Sequence, residues 1–557
     1  MFGNGRRLAG IVLGMLILAA QSHAHADDQR GTDMLENDLA TLTQGVKTIA
    51  APGVPGAVAI WGKGTFCVVA AGDAGEQVPV VAAGRMGNGR FVLFPHSAFS
   101  DASVTDTGDT AQFLENVVKW TAHVSTNRAV KVGVMGGTIA EFLTKRGFDA
   151  QEMRSWPREK LQTIDVVWCS KVDLSKTEIE ALRDFMQAGG GFVGAQTPWG
   201  WQQITGRDMD ENGMNALIAP AGAAWTSGMT HATVSGGMFA VDETMRPLLQ
   251  GSNALDVLEK GEGAAPEQEE QQSATTVMQV MLAMIEDRGE FQSRLKKLAE
   301  SRGASVIASA ESPLTVKQGL QRVLLAYEIE QAKHANVNAV KAQASAAKFP
   351  GLPESHATRV QRNVKVDGDV PGWASTGVYA EPGQKIVVEL PNMPGTNEMQ
   401  VQIGTHTDEL WDKPEWRRAP EIVERWPIKS TRTEAASAFG GLVYIVVPEH
   451  CNAGEMKVRI SGAIESPLFV LGETSKADWM QRVRDRPGPW AELATKKVIL
   501  TVPSKCIRQL DDPESLMKFW DQILDAAADL AQIDHDRLRP ERYCMDVQIS
   551  AGYMHSG

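Results

Sequence analysis

The chain has 557 residues, 43% of them hydrophobic and 22% charged, with a formal net charge of −13. At about 100–200 residues per domain, this length predicts roughly three or four domains, and the composition excludes a disordered or collagen-like chain. The acidic balance leaves no cationic excess for neutralising phosphates, so nucleic acid is excluded as the main partner, and five cysteines exclude a disulfide-dense scaffold.

Residues 1–26 have the pattern of a secretory signal. Arg6 and Arg7 form its positive start, Leu8 to Ala20 its apolar stretch, and Ala24 and Ala26 its small-residue cleavage site. The apolar stretch would reach about 20 Å as a helix, too short to span a bilayer. Cleavage after Ala26 predicts a periplasmic or secreted protein of net charge −15, with no transmembrane segment after signal cleavage, because no later run has 18 consecutive apolar residues. Cys67 and Cys169 lie in apolar strand-like runs and are expected to be buried thiols, with one disulfide left open by the odd count.

Residues 40–257 alternate strands and helices. Predicted strands are Gly56–Trp61, Thr65–Ala70, Arg90–Pro95, Lys131–Met135, Ile164–Cys169 and Gly191–Ala195. Their near-continuous apolar runs point to an open α/β domain whose parallel sheet is covered on both faces. One helix presents Phe113, Leu114, Val117, Val118 and Thr121 on a single face. A second presents Ile179, Leu182 and Phe185 and carries a capping box, Ser175 with Glu178. Residues 258–276 are polar and acidic and predict a linker or long loop. Residues 277–348 predict a helical segment, with Met278, Met281, Met284 and Ile285 on one helix and Leu320, Val323, Leu324 and Tyr327 on another. From 360 to 475, short β-like runs (Lys385–Leu390, Met399–Ile403, Leu442–Val447, Lys457–Ser461) between turn signals predict an antiparallel β-sandwich. Residues 476–557 are mixed. Lys497–Val502 is a predicted strand, Pro513 opens a helix to about Ala531, and Met545–Ile549 is β-like.

Chemistry-bearing motifs are few. Gly133-Val-Met-Gly136-Gly137 follows a strand but matches neither phosphate-binding glycine fingerprint, so a tight turn is the better assignment. The run Gly189-Gly-Gly-Phe-Val-Gly-Ala-Gln-Thr-Pro-Trp-Gly200 stands where an α/β hydrolase or amidotransferase places a nucleophile elbow, but the turn offers Gln196 and Thr197 in place of Ser or Cys. This part is similar to the class I glutamine-amidotransferase fold group without its cysteine, which predicts a scaffold or binding domain; Trp199 and Trp201 suit a packed loop better than a binding role. His231 stands without a partner histidine, and no two histidines are spaced i, i+4.

From about Val370 onward the chain resembles the enhancin-like, mucin-degrading zinc metallopeptidase family. The resemblance rests on blocks in family order that include Trp373-Ala-Ser-Thr-Gly-Val-Tyr-Ala-Glu-Pro-Gly383, Ile403-Gly-Thr-His-Thr-Asp408, Met517-Lys-Phe-Trp-Asp521 and Asp546-Val-Gln-Ile-Ser-Ala-Gly-Tyr-Met-His-Ser-Gly557. The domain ahead of them is similar to that of the TRP-channel-associated factors, which pair the same two modules. The resemblance implies a metallopeptidase α+β domain beginning near 476. It also implies zinc in a full-length member, held by an H-E-x-x-H helix and a later glutamate. No H-E-x-x-H occurs in these residues. No catalytic or metal residue is therefore assigned, no cofactor is expected in this chain, and the domain is expected to stop before its active site. Phe519, Trp520, Ile523 and Leu524 would then lack the lobe they pack on, so residues after about 480 are expected to be the least protected.

Two functions compete. One is an exported protein of this glycoprotein- and mucin-peptidase lineage, inactive as it stands. The other is a non-catalytic glycan- or protein-binding module, for which Trp411, Trp416 and Trp426 with Arg417 are the candidate ligand-binding residues. Indole faces stack on sugars, and guanidinium pairs with acidic glycans. A packed loop with a solvated rim is the plainer explanation of the same residues. An active amidase in the α/β domain is the weakest alternative.

Overall fold

The computed structural model describes residues 31–73, 77–123, 128–260, 268–282, 290–392 and 398–555. The signal sequence expected at 1–26 lies outside them, as do Met284 and Ile285. Two compact units divide the chain at Arg294 and Leu295.

The first unit is built on a seven-stranded mixed sheet. Thr65–Ala71, Val78–Met86 and Gly89–Phe94 form an antiparallel meander. Gly191–Ala195, Val166–Cys169, Lys131–Met135 and Asp149–Glu152 continue the sheet, all parallel. The central strands Val166–Cys169 and Gly191–Ala195 are buried at every position, as their unbroken apolar sequences require. Helix Thr110–Ala122 buries Phe113, Leu114, Val117 and Val118 against them. Helix Lys176–Gln187 opens with the expected capping box, and Leu182 and Met186 point into the core.

Several details depart from the sequence reading. Gly56–Ile60 is a strand but leaves the main sheet to pair with Ala223–Met229. Val78–Met86 and Asp149–Glu152 are additional strands. The linker expected over 258–276 is helical at both described ends, within Gly251–Lys260 and Gln268–Leu282. Buried Ala274, Val277, Met278 and Met281 explain the second helix, since a periodic apolar stripe lies beneath the acidic residues that suggested a loop.

The second unit contains helix Gly319–His334, an eight-stranded antiparallel sheet and a smaller four-stranded sheet. The large sheet runs in the order Glu424–Pro427, Gln400–Ile403, Gly441–Val447, Gly372–Ala380, Glu455–Glu465, Ile386–Glu389 and Arg432–Ala435, with Arg359–Asp367 on the other side of Glu455–Glu465. The expected sandwich is therefore one continuously hydrogen-bonded sheet. Glu455–Glu465 joins its parts, pairing near one end with Gly372–Ala380 and in its middle with Ile386–Glu389. Val378, Val401, Ile403, Val443, Ile445 and Ile460 fill its core.

The small sheet runs Leu468–Val470, Trp490–Ala494, Val498–Pro503 and Glu541–Cys544. Helix Pro513–Ala531 covers it through Met517, Leu524 and Ala528 and leaves Phe519 57% and Ile523 39% exposed. The β-like run Met545–Ile549 is irregular, and the strand lies just before it.

Candidate ligand-binding cleft

A cleft of about 2160 Å³ lies within the second unit, walled by the large sheet, by strand Glu541–Cys544 and by the segment after it. Strand alternation sets its floor. Trp373 and Ser375 share one face of Gly372–Ala380, and Arg542 and Cys544 share one face of Glu541–Cys544. The Arg542 guanidinium donates to the Trp373 carbonyl at 2.9 Å and to Ser375 Oγ at 3.2 Å, and it pairs with Glu492. Glu492 also accepts from Tyr444 Oη at 3.1 Å and from Thr501 Oγ1 at 3.2 Å, so this carboxylate, 2% exposed, has three donors. Burial works against the charge on Arg542, but Glu492 beside it outweighs burial and holds the guanidinium above its ordinary value. Burial raises the Tyr444 hydroxyl well above its usual range and pushes the Cys544 thiol up to about 12. Neither is an available nucleophile.

A second buried pair fixes the segment after the strand. Arg418, fully buried, donates through Nε to both oxygens of Asp546 at 3.0 Å and through Nη2 to Oδ2 at 2.8 Å. Its Nη1 and Nη2 also donate to the carbonyls of Ala419 and Asp408. His406 lies alongside, packed edge-on to Phe349 and Trp490, and its Nε2 donates to the Met545 carbonyl at 3.1 Å. Burial pushes His406 down to about 4. Farther out, Asp408 takes a hydrogen bond from His555 Nε2 at 2.7 Å and another from the Ser550 N–H. Burial raises Asp408, but these donors outweigh it and hold the carboxyl below its usual value. Ser550, His555 and Asp408 do not form a proton relay, because both the hydroxyl and the carboxylate address the same imidazole nitrogen.

The residues singled out from sequence lie elsewhere. Trp416 is fully buried beneath the Arg322 guanidinium, 4.0 Å from its ring centroid, and stacks edge-on with Trp411 at 5.6 Å. It therefore has no free face for a sugar. Burial lowers Arg322 to about 10, and its Nη2 donates to the Lys413 carbonyl at 2.9 Å. Trp411 is half-buried and donates to Glu421; Trp426 is half-buried against the sheet core; exposed Arg417 pairs with Glu415 at 2.7 Å. None of the four lines the cleft. Trp373 does, flanked by Arg425 and Arg542, each 5.8 Å from its ring centroid. The signal for Trp373 was its place two residues before Ser375 in an alternating run; Arg542 had none, because its partners are 50 and 169 residues away.

In the first unit, the glycine turn is closed. Gly136 and Gly137 hold φ of 87° and 75°, and a Cβ on either would strike Ser170 Oγ or the Ser100 carbonyl. No phosphate cradle opens there. Gln196 is 4% exposed and donates to the Val172 carbonyl at 3.3 Å, while Thr197 accepts from the Ser97 N–H at 3.1 Å. Trp199 donates to the Val54 carbonyl at 2.8 Å, Trp201 is buried under Arg207, and His231 is exposed. These are packed-loop contacts.

Among the described residues, no three His, Cys, Asp or Glu side chains gather as a group able to hold a metal ion. The described side chains therefore offer no set that fits the zinc the resemblance implies. No described helix is long and apolar enough to cross a membrane.

Three family models match successive parts of the chain. Residues 22–243 match the TRPM8 N-terminal domain, residues 355–461 the N-terminal domain of M60-like peptidases, and residues 462–557 peptidase M60, enhancin and enhancin-like. The last two meet across the cleft. Residues 355–557 are thus similar to the enhancin-like M60 peptidases, and the residues ahead of them to the N-terminal domain of the TRPM8 channel-associated factor type. The chain is 42% identical over 214 residues to a TRPM8 channel-associated factor homolog of Xenopus laevis, covering 38% of this chain and 24% of that protein. To human TRPM8 channel-associated factor 1 it is 29% identical over 512 residues, covering 86% of this chain and 51% of that protein. The chain thus spans about half the length of the curated relatives it matches along most of its own. Among solved structures it is similar to IMPa of Pseudomonas aeruginosa with an O-glycopeptide, at 13% identity over 94% of this chain and 66% of that one, with a TM-score of 0.43. It is also similar to the ZmpC M60 catalytic domain of Clostridium perfringens with the sialyl T antigen, at 14% identity over 35% and 46% of the two chains, with a TM-score of 0.27.

Proposed function

We propose that this chain is an exported glycoprotein-recognising member of the M60 lineage whose 557 residues bind a mucin-type glycan without cutting the peptide beneath it. The observation that carries this is Trp373, an indole half-exposed in a large cleft with guanidinium groups on two sides. Apolar sugar faces stack on indole, while arginine donors serve ring oxygens and acidic substituents. Withholding hydrolysis rests on chemistry. A zinc peptidase of this type needs three ligands and a general base around an open metal position, and the H-E-x-x-H that supplies two of those ligands and the base is not among these residues. The first unit serves in this proposal as an amidotransferase-like scaffold without a nucleophile. The test is titration of an O-glycosylated mucin peptide into the chain, followed by mass spectrometry with added zinc and again with chelator. Binding with an intact peptide in both conditions supports the proposal. Chelator-sensitive cleavage overturns the non-hydrolytic part, and absence of binding overturns the recognition part.

A further inference from the structure

Resting on that reading of the cleft, we infer that it contains a subsite for an acidic sugar, formed by Trp373, Arg425 and Arg539 and selecting a carboxylate or sulfate carried on the glycan ring. The lining holds seven lysines and arginines against five aspartates and glutamates, on a chain whose formal net charge is −13. Four of these cations and three of the acids are already in ion pairs, which leaves Arg425, Lys457 and Arg539 against Asp367 and Glu473. Asp408 is held by His555, Asp546 by Arg418 and Glu541 by Arg537.

The cations around Trp373 differ in how they are held. Arg542 is committed to Glu492. Arg425 binds only a neutral group, donating through Nε to Gln402 Oε1 at 2.8 Å, and among the described residues neither it nor Arg539 is paired with a carboxylate. Arg539 runs past Gly372, with its Cδ 3.7 Å and Nη1 3.9 Å from where a Cβ would stand. Gly372 has φ 109°, a backbone that glycine adopts freely, so nothing larger separates Arg539 from the residue next to Trp373. Two uncommitted guanidinium groups therefore line the cleft near Trp373, Arg425 over its ring and Arg539 beside the preceding residue, Gly372. A planar carboxylate or a sulfate accepts from such forks in charge-assisted pairs, while the pyranose ring lies on the indole.

The test uses the full chain and three glycopeptides that share one disaccharide: neutral, capped with a carboxylated sugar, and sulfated. Each is titrated into wild type, Arg425→Gln, Arg539→Gln and the double variant, with thermal melting confirming that the variants fold. The expected result is that at least one acidic form binds about tenfold more tightly than the neutral one. The double variant should bind all three alike, at the wild-type neutral affinity, and Arg425→Lys should keep part of the preference. A gain with the carboxylated form alone, the sulfated form alone or both identifies the anion. Neutral binding with no acidic preference, or a preference that survives in the double variant, overturns the subsite and leaves glycan recognition standing. Failure of all three glycopeptides to bind removes both.

Discussion

Arg418 and Asp546 stand 128 positions apart in the chain and form a three-bond ion pair with side-chain exposures of 0% and 4%. The pair ties the loop after Trp416 to the segment that closes the cleft. Removing one partner of such a pair leaves an uncompensated buried charge. Asp546→Ala should therefore destabilise the second unit by about 3–5 kcal/mol, read as a lower denaturation midpoint. Replacing both residues with apolar groups, Arg418→Met with Asp546→Leu, should restore much of that loss.

His406 gives the second unit an acid-side pH dependence. Its folded pKa is depressed to about 4 by burial, reinforced by Arg418 and opposed by Asp546 and Asp408. The unfolded chain therefore binds the proton first, and stability present above pH ~6.5 is lost as pH falls toward about 4. Glu424 acts in the opposite sense. Burial raises it to about 7, so the stability it adds at low pH is lost as pH rises through that value. His406→Gln should flatten the acid limb of the melting-temperature profile, and Glu424→Gln should flatten the limb near neutrality.

Trp416 and Trp373 separate packing from binding. Trp416→Ala opens a hole under Arg322 and should cost about 3–5 kcal/mol of stability. Arg417→Ala, on an exposed side chain paired only with Glu415, should change stability by no more than about 0.5 kcal/mol. Melting curves of the two variants provide the comparison.

Helix Pro513–Ala531 separates buried from exposed apolar residues. Leu524→Ala should cost about 2–5 kcal/mol, whereas Phe519→Ser should leave stability nearly unchanged and reduce self-association, measured by light scattering. Leu530 and Leu538 are 88% and 73% exposed, and amide exchange after residue 480 should be faster than in the large sheet.

Much of the secondary structure was readable in advance because local chemistry sets it. The capping box at Ser175, the apolar stripe of Thr110–Ala122 and the span Pro513–Ala531 each depend on neighbours a few residues away. Sheet partnership was not readable in the same way. Nothing in Gly56–Ile60 reveals that its partner is Ala223–Met229 rather than the main sheet. Edge strand Arg359–Asp367 escaped notice because its alternating exposed residues look like a polar turn region. The cleft was hidden for the same reason. Trp411, Trp416 and Trp426 are close in sequence, while Trp373, Arg425, Arg539 and Arg542 meet only through the fold. Of the four residues expected to lack a packing lobe, Phe519 and Ile523 are exposed, whereas Leu524 is buried with Met517 and Ala528 against the small sheet.

Calorimetric titration of one mucin-type O-glycopeptide into wild type and Trp373→Ala bears most directly on the cleft as a recognition site. Loss of an indole platform should weaken binding by about tenfold or more while the melting temperature stays close to wild type. Undiminished affinity in Trp373→Ala, or no binding by the wild-type chain, would contradict it.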